Sequence, residues 1–257
     1  MSWIITGSQK VNWTPANIAA NLEFWFDASD ANTLYDATSG GSLVANNGTI
    51  ARWEDKSGKG RNVTQSTSGY RPTYLTNSIN SLPSVSFNAS ALNFAASTVS
   101  QRQGQELICV VDTTDLQASY RVILNRNSTG PAFYLGSTSY VPSIFWGGNL
   151  GWSAAVQRAA IFRFALPSTP VGGRAISVDG GSPIQNTVTS SSYIKENIDF
   201  WTAINGAIVQ SATCKVGEMI MTFGDYGQIV EGYLAHKWGL TANLPSNHPY
   251  KVNPPAP

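Results

Sequence analysis

The sequence predicts an all-β domain, a sandwich or a barrel, with a single helix near its C-terminal end. Its apolar residues fall in about ten short runs, most of them alternating with period two, as strands do when one face is buried. Clusters rich in Gly, Pro, Asn and Ser separate the runs, among them SGKG, NSTGP, GGN, PSTPVGG and DGGSP, and each is a turn signal. Only the stretch GDYGQIVEGYLAHKWGL carries helical spacing. At 257 residues a single unit buries roughly three-quarters of the surface its unfolded chain exposes, so neither a disulfide framework nor a structural metal is required. No repeat, charge run or internal linker divides the chain, which places one domain over 21–250, an arm over 1–20 and a Pro-rich tail over 251–257.

Taken in order, the arm MSWIITGSQKVNWTPANIAA comes first. Pro15 and the polar stretch 7–12 keep it from forming a long strand. Trp3, Ile4, Ile5 and Trp13 are too apolar to leave in water without a reason, so they are expected to attach the chain to another subunit. The first strand, NLEFWFDAS, alternates Leu22, Phe24 and Phe26 with Glu23, Trp25 and Asp27, which predicts a half-buried strand. PSVSFNAS, QELICVVDTT, YRVILNR, AFYLGS, SIFWGG, AAIFRFAL, RAISVDGG, IDFWTAI and KVGEMIMTF follow as further strands. Cys109 and Cys214 lie in two of these runs, outside any C-x-x-C spacing, so zinc and redox motifs are absent. Buried free thiols are the simpler reading, with a disulfide as the alternative. The helix spans 226–238, its stripe made by Ile229 with Tyr233 and by Val230, Leu234 and Trp238. Asp225 and Gln228 are placed to cap its start, and Gly239 to end it in the left-handed conformation. Gly232 is unfavourable inside a helix by about 1 kcal/mol relative to Ala, which predicts close packing against the sheet.

Composition narrows the function. Charged residues make up 12% of the chain, about half of the usual ~25%, and 16 Lys+Arg stand against 15 Asp+Glu. There is no positive excess to neutralise phosphates, so nucleic acid and anionic membranes are poor partners. The N-terminal residues show no secretory signal, and no run approaches the ~18 apolar residues of a membrane span.

The segments FWFDASDANTL, ARWEDKSGKGRNVTQ, RPTYL, SLPSVSFNAS, ISVDGG, KVGEMIM and EGYLAHKWGLTANLPSNHPY resemble the concanavalin A-like (laminin-G-like) jelly-roll module over nearly the whole chain. The W-x-D-x-S-G-x-G segment and the E-G-Y-L-A-H-K-W-G-L helix are specific in combination. The resemblance implies a two-sheet antiparallel jelly-roll sandwich with the C-terminal α-helix packed outside it. Modules of this kind occur in secreted bacterial proteins and in structural proteins of tailed phages, so the fold is implied more firmly than the role.

Several residues have a structural reading beside a functional one. Trp53 reads as a core aromatic whose N–H finds a partner, and Asp55, Ser57 and Gly58 suit a tight turn. Alternatively, Asp27, Asp30 and Asp55 could supply oxygens to calcium, which related modules often carry. Jelly-roll glycosidases place paired carboxylates on one strand as E-x-D-x-(x)-E, and this chain has no such run. Glu196 and Asp199 in KENIDFW point to opposite faces, Glu106, Glu218 and Glu231 stand alone, His236 reads as a helix-surface residue and His248 as part of a cap on the tail. No catalytic residue is assigned. Sugar sites need an aromatic plate flanked by residues that fix hydroxyls, and SYVPSIFWGGNLGW offers Tyr140, Trp146, Asn149 and Trp152. The competing reading puts the tryptophans over the core. With Ile144 and Phe145 as neighbours, Trp146 is expected in the core and Trp152 exposed.

The combined expectation is a non-enzymatic virion structural protein of a tailed bacteriophage. It would be a capsid decoration or a head or tail appendage exposed on the particle surface, oligomeric and in contact with other virion proteins. The alternative is a carbohydrate-binding, lectin-like recognition module at a cell surface or outside the cell.

Overall fold

The first predicted strand is buried along its whole length. Phe24 and Phe26 face the core between the sheets as expected, but a register slip between Leu22 and Phe24 puts Leu22 on the helix side with Trp25, and Glu23, Trp25 and Asp27 are also buried, because the sheet is covered on both sides. The structure is a computed structural model that describes residues 13–95, 99, 104–116, 121–126, 132–136, 141–145, 149–166, 172–188, 201–204 and 212–257. All structural statements below concern these residues.

The strands are β1 (Leu22–Asp27), β2 (Leu34–Tyr35), β3 (Arg52–Trp53), β4 (Val63–Thr64), β5 (Thr73–Ile79), β6 (Leu82–Phe87), β7 (Leu92–Phe94), β8 (Gln105–Asp112) and β9 (Arg121–Arg126). They continue as β10 (Ala132–Gly136), β11 (Ser143–Phe145), β12 (Asn149–Gly151), β13 (Ala159–Ala165), β14 (Gly172–Val178), β15 (Ile184–Val188), β16 (Trp201–Ile204) and β17 (Cys214–Phe223). The single α-helix, α1, is Gly227–Lys237.

One sheet runs β15-β14-β13-β8-β17-β6-β5, and β1 joins it on β17; the other runs β12-β11-β10-β9-β16-β7-β4-β3-β2. β17 is the axis of the first sheet. One of its edges pairs with β8, while the other is shared by β6 and β1. Between those partners, at Gly217, the register slips in a bulge, and the Gly217 carbonyl accepts the Ala28 N–H at 2.9 Å.

Side chains from the two sheets meet in one core. The rings of Phe24 and Phe94 lie 5.5 Å apart, Phe26 and Trp53 5.4 Å, and Phe133 and Phe164 5.1 Å. Trp53 is fully buried as expected, although its indole N–H finds no partner among the described residues. Cys109 and Cys214 are buried free thiols, and burial pushes both thiols far above their ordinary range.

A second core lies on the opposite face of the first sheet. Trp25, Ile108, Val110, Ile161 and Ile220 point outward into Val230 and Leu234 of α1 and Trp238 at its C-terminal cap. The all-β fold with one C-terminal helix outside it is therefore as the sequence predicts, and the helix covers an apolar face rather than a solvated one. Fully burying a side chain such as Leu234 contributes about 1.5–3 kcal/mol.

Three details of this layer depart from expectation. The α1 N-cap is Tyr226, with no side-chain cap bond; Asp225 turns to solvent and lies 3.5 Å from Arg163. Gly232 makes room for Tyr250 of the tail, not for the sheet, since a Cβ there would meet Tyr250 Cβ at 2.5 Å. Trp13, assigned to an attachment arm, is buried against its own chain: its ring packs edge-on against Tyr233 at 5.7 Å and its N–H reaches Pro255 O at 3.3 Å. Trp3, Ile4 and Ile5 lie outside the described residues. Gly239 takes φ +66°, as the end of the helix requires. No helix among the described residues is long and apolar enough to cross a membrane.

Candidate functional site

Two polar centres stand out, and they have different characters. The first is Glu218, which follows the β17 bulge and is fully buried. Its Oε1 accepts Trp25 Nε1 at 2.7 Å and the Tyr233 hydroxyl at 3.0 Å; its Oε2 accepts Trp238 Nε1 at 2.8 Å and Lys237 Nζ at 2.6 Å. Lys237 also pairs with Asp27 at 2.8 Å, and Lys56 then bridges Asp27 and Asp30 at 2.9 Å each. Burial pushes the Glu218 carboxyl above its ordinary value. Burial acts upward on Asp27 too, but Lys237, Ser29 and Lys56 outweigh it and hold that carboxyl low. This chain of charges locks α1 and β1 onto β17, and every ligand of Glu218 comes from the protein itself.

The three aspartates of the calcium expectation have other partners in this structure. Lysine ammoniums already neutralise Asp27 and Asp30. Asp55 is engaged separately in its own turn, accepting the N–H groups of Trp25, Ser57 and Arg61 and the Ser57 hydroxyl. The turn reading of Asp55, Ser57 and Gly58 is the one the structure shows, with Gly58 at φ +82°. No group of three or more His, Cys, Asp or Glu side chains among the described residues could hold a metal ion.

The other carboxylates expected to stand alone have partners. Glu106 pairs with Arg163 at 2.6 Å. Glu231 accepts the Ser177 hydroxyl at 3.0 Å and lies 3.6 Å from His248 Nε2. His248 is buried under the tail as expected, and His236 Nε2 sits 2.9 Å from Tyr250 O. Glu196 and Asp199 lie outside the described residues.

The second centre is a cleft of about 370 Å³ lined by Trp152, Val156, Gln157, Arg158, Asp179 and Asn243. Trp152 follows β12, its N–H bonded to Pro142 O at 2.7 Å, and its ring is half-buried against the main core rather than exposed. The segment after it is pinned by Thr113, whose hydroxyl donates to Val156 O at 2.8 Å. Asp179 comes from the β14–β15 hairpin. Asp179 and Gly180 both have positive φ, and Gly181 N bonds Val178 O at 3.0 Å, the geometry favoured by an Asp-Gly hairpin turn. Asp179 Oδ1 accepts Ile161 N at 2.8 Å and its Oδ2 meets Arg158 Nη2 at 2.5 Å; burial raises its carboxyl. Asn243 ends the 3-10 segment Thr241–Asn243, whose carbonyls are gathered by Lys251 Nζ. Gln157, Arg158 and Asn243 are exposed.

Of the predicted sugar residues, Trp152 is the one whose side chain is described, and it lines this cleft. Tyr140 and Trp146 lie outside the described residues, and Asn149 is described only through its backbone pairing with Phe145. Sequence reasoning missed Gln157, Arg158, Asp179 and Asn243. The DGG turn signal marked where Asp179 would bend the chain, but nothing local tied it to Trp152. A larger groove of about 450 Å³ lies beside Trp13, Tyr233, His236 and Pro255. Its polar groups, Lys237 and His236, are already bound within the protein, so it offers less to orient a ligand.

No protein-family model matches this chain, and no curated protein sequence matches it. Solved structures match in fold. A GH54 α-L-arabinofuranosidase soaked with a cyclic sulfate inhibitor aligns with TM-score 0.56 and 13% identity over 82% of this chain and 62% of that one. Domain 4 of AbnA, a GH43 extracellular arabinanase from Geobacillus stearothermophilus in complex with arabinotriose, aligns with TM-score 0.50 and 12% identity over 79% and 93%. The binding domain of Paraclostridial Mosquitocidal Protein 1 aligns with TM-score 0.50 and 11% identity over 80% and 50%. The chain thus spans about three-fifths of the arabinofuranosidase, 62% of its length. At these identities the likeness establishes the fold alone, a jelly-roll-like β-sandwich.

Proposed function

We propose that this chain is a carbohydrate-binding module without hydrolytic activity, and that its sugar site is the Trp152 cleft. The observation that carries this is a half-buried tryptophan sharing a 370 Å³ cleft with the exposed side chains of Gln157, Arg158 and Asn243. An aromatic face stacks on a sugar ring, and the amides and guanidinium fix its oxygens. The arabinotriose held by the arabinanase domain of similar fold makes arabinan oligosaccharides the first probes. Binding without cleavage is supported by the engagement of the buried acids. Glu23, Asp27, Glu106, Asp179 and Glu218 each pair with a Lys or Arg, and Glu231 with Ser177. None is a carboxylate free to act as acid or nucleophile. Display at a virion surface, the other expectation, draws on no described residue, and Trp13 is already consumed within its own chain.

The test is calorimetric titration with arabinan, xylan and galactan oligosaccharides, alongside a reducing-end assay. Micromolar to millimolar binding that Trp152→Ala abolishes, with the fold intact by circular dichroism and no new reducing ends, is the expected result. Binding unaffected by Trp152→Ala would move the sugar site elsewhere, and reducing ends above a heat-killed control would make the chain an enzyme.

A further inference from the structure

We infer that the Trp152 cleft is built for an acidic sugar, with the carboxylate of a uronate residue lying against the Arg158 guanidinium; this rests on the carbohydrate reading of the cleft. The inference comes from which groups the cleft leaves free. A site for neutral sugars needs acceptors as well as donors, usually a carboxylate that receives hydroxyl protons. The one carboxylate among the described residues that line the cleft cannot serve. Asp179 is 4% exposed, its Oδ1 holds the Ile161 N–H and its Oδ2 holds Arg158. The guanidinium stands in the opposite condition. The Arg158 side chain is 50% exposed, and only its contacts to Ala159 O, at 3.0 Å, and Asp179 Oδ2 engage it. Its remaining N–H groups are available among the described residues.

The charge is therefore arranged in depth, with the anion beneath and the cation at the mouth. A planar guanidinium matches a carboxylate with two parallel hydrogen bonds, and Asp179 is the counter-ion with which such a carboxylate would compete. The scaffold that fixes this arrangement is rigid at each corner. A hairpin turn holds Asp179, the Thr113 N–H holds the Arg158 carbonyl at 3.2 Å, and Lys251 holds the segment that carries Asn243. Trp152 then supplies the apolar wall, and the Gln157 and Asn243 amides, which both donate and accept, are left for hydroxyls.

The experiment titrates the full chain with tetragalacturonate and with the same oligomer fully methyl-esterified, which keeps the shape and removes the charge. Tighter binding of the acid by about tenfold at low salt is expected for a charge-assisted pair at a half-exposed site. Arg158→Gln should equalise the two ligands. Asp179→Asn separates this reading from a merely structural role for the pair: Asn suits the same turn and can still accept the Ile161 N–H, yet it strips Arg158 of its counter-ion. Affinity for the acid should then rise severalfold, with the ester unchanged and the melting curve close to wild type. A sulfated galactan tetramer distinguishes the source of the anion, and binding as tight as that of the uronate would overturn the carboxylate assignment. Equal binding of acid and ester, or a loss of acid binding in Asp179→Asn, would overturn the inference while leaving the carbohydrate reading in place. Failure of every oligosaccharide, neutral or acidic, would overturn both.

Discussion

The Glu218 carboxylate accepts the Trp238 indole N–H at 2.8 Å, and the residue before it, Gly217, is bare where the same ring passes. A Cβ on Gly217 would lie 2.7 Å from Trp238 Cη2. Bulge, glycine, carboxylate and indole thus form one joint between sheet and helix: the bulge turns Glu218 toward α1, and the missing side chain lets the indole settle over β17.

The joint sets the first prediction. Glu218→Ala leaves two indole N–H groups, the Tyr233 hydroxyl and Lys237 without their common acceptor. Breaking a buried charge pair from one side costs about 3–5 kcal/mol. Lys237→Met should also destabilise, because it removes the cation that offsets the burial of the Glu218 carboxylate. Urea denaturation midpoints measure both. If the pair matters as a pair, Glu218→Ala combined with Lys237→Met will lose less than the sum of the two single variants.

Asp27 gives a pH dependence whose sign follows from its neighbours. Its folded carboxyl is held below the ordinary value of 3.8, so the unfolded chain takes up the proton first as the solution is acidified. The stability Asp27 contributes is complete above that ordinary value and is lost as pH falls through the folded value. Wild type should therefore exceed Asp27→Asn in stability at neutral pH, and the gap should close in acid. Glu218 acts in the opposite direction. Its folded carboxyl is raised above the ordinary 4.5, so its contribution is complete in acid and declines as pH rises through the raised value. Denaturation curves at a series of pH values, read as the difference between wild type and each variant, separate the two.

What the sequence made legible was local. Alternation marked the strands, helical spacing marked α1 to within a residue at each end, and the Asp55 turn closes over Ser57 and Arg61, a few residues away. What it concealed was long-range. Glu218 looked isolated because Trp25, which donates to it, is 193 residues distant in sequence. Alternation in β1 predicted one wet face because period two reports only that two faces differ; it cannot say that a helix and Trp13 will cover the second. The cleft was half legible for the same reason. Trp152 stood out as an aromatic beside a Gly-rich loop, whereas Asp179 and Asn243 reach it from separate segments, and a turn residue such as Asp179 carries no mark of the partner it will meet.

Gly232 offers a test in which two local rules disagree. Helix propensity alone says that Gly232→Ala should stabilise α1 by about 1 kcal/mol. The tertiary contact says otherwise, since the new Cβ would sit 2.5 Å from Tyr250 Cβ and 2.6 Å from its Cγ. Both atoms lie at the root of the side chain, so no rotamer change of the ring removes the overlap, and the tail must move. Overpacking of this kind costs about 1–3 kcal/mol, enough to reverse the propensity gain. Gly232→Ala should therefore lower the melting temperature and loosen the tail, seen as faster amide exchange at Tyr250 and at Lys251, which bonds His248 O at 3.0 Å. In a Tyr250→Gly background the overlap is gone, and the same substitution should become neutral or stabilising. A double-mutant cycle between the two positions measures the coupling directly. A Gly232→Ala variant that is more stable than wild type in the presence of Tyr250 would show that the tail yields freely and that Gly232 is not there to admit it.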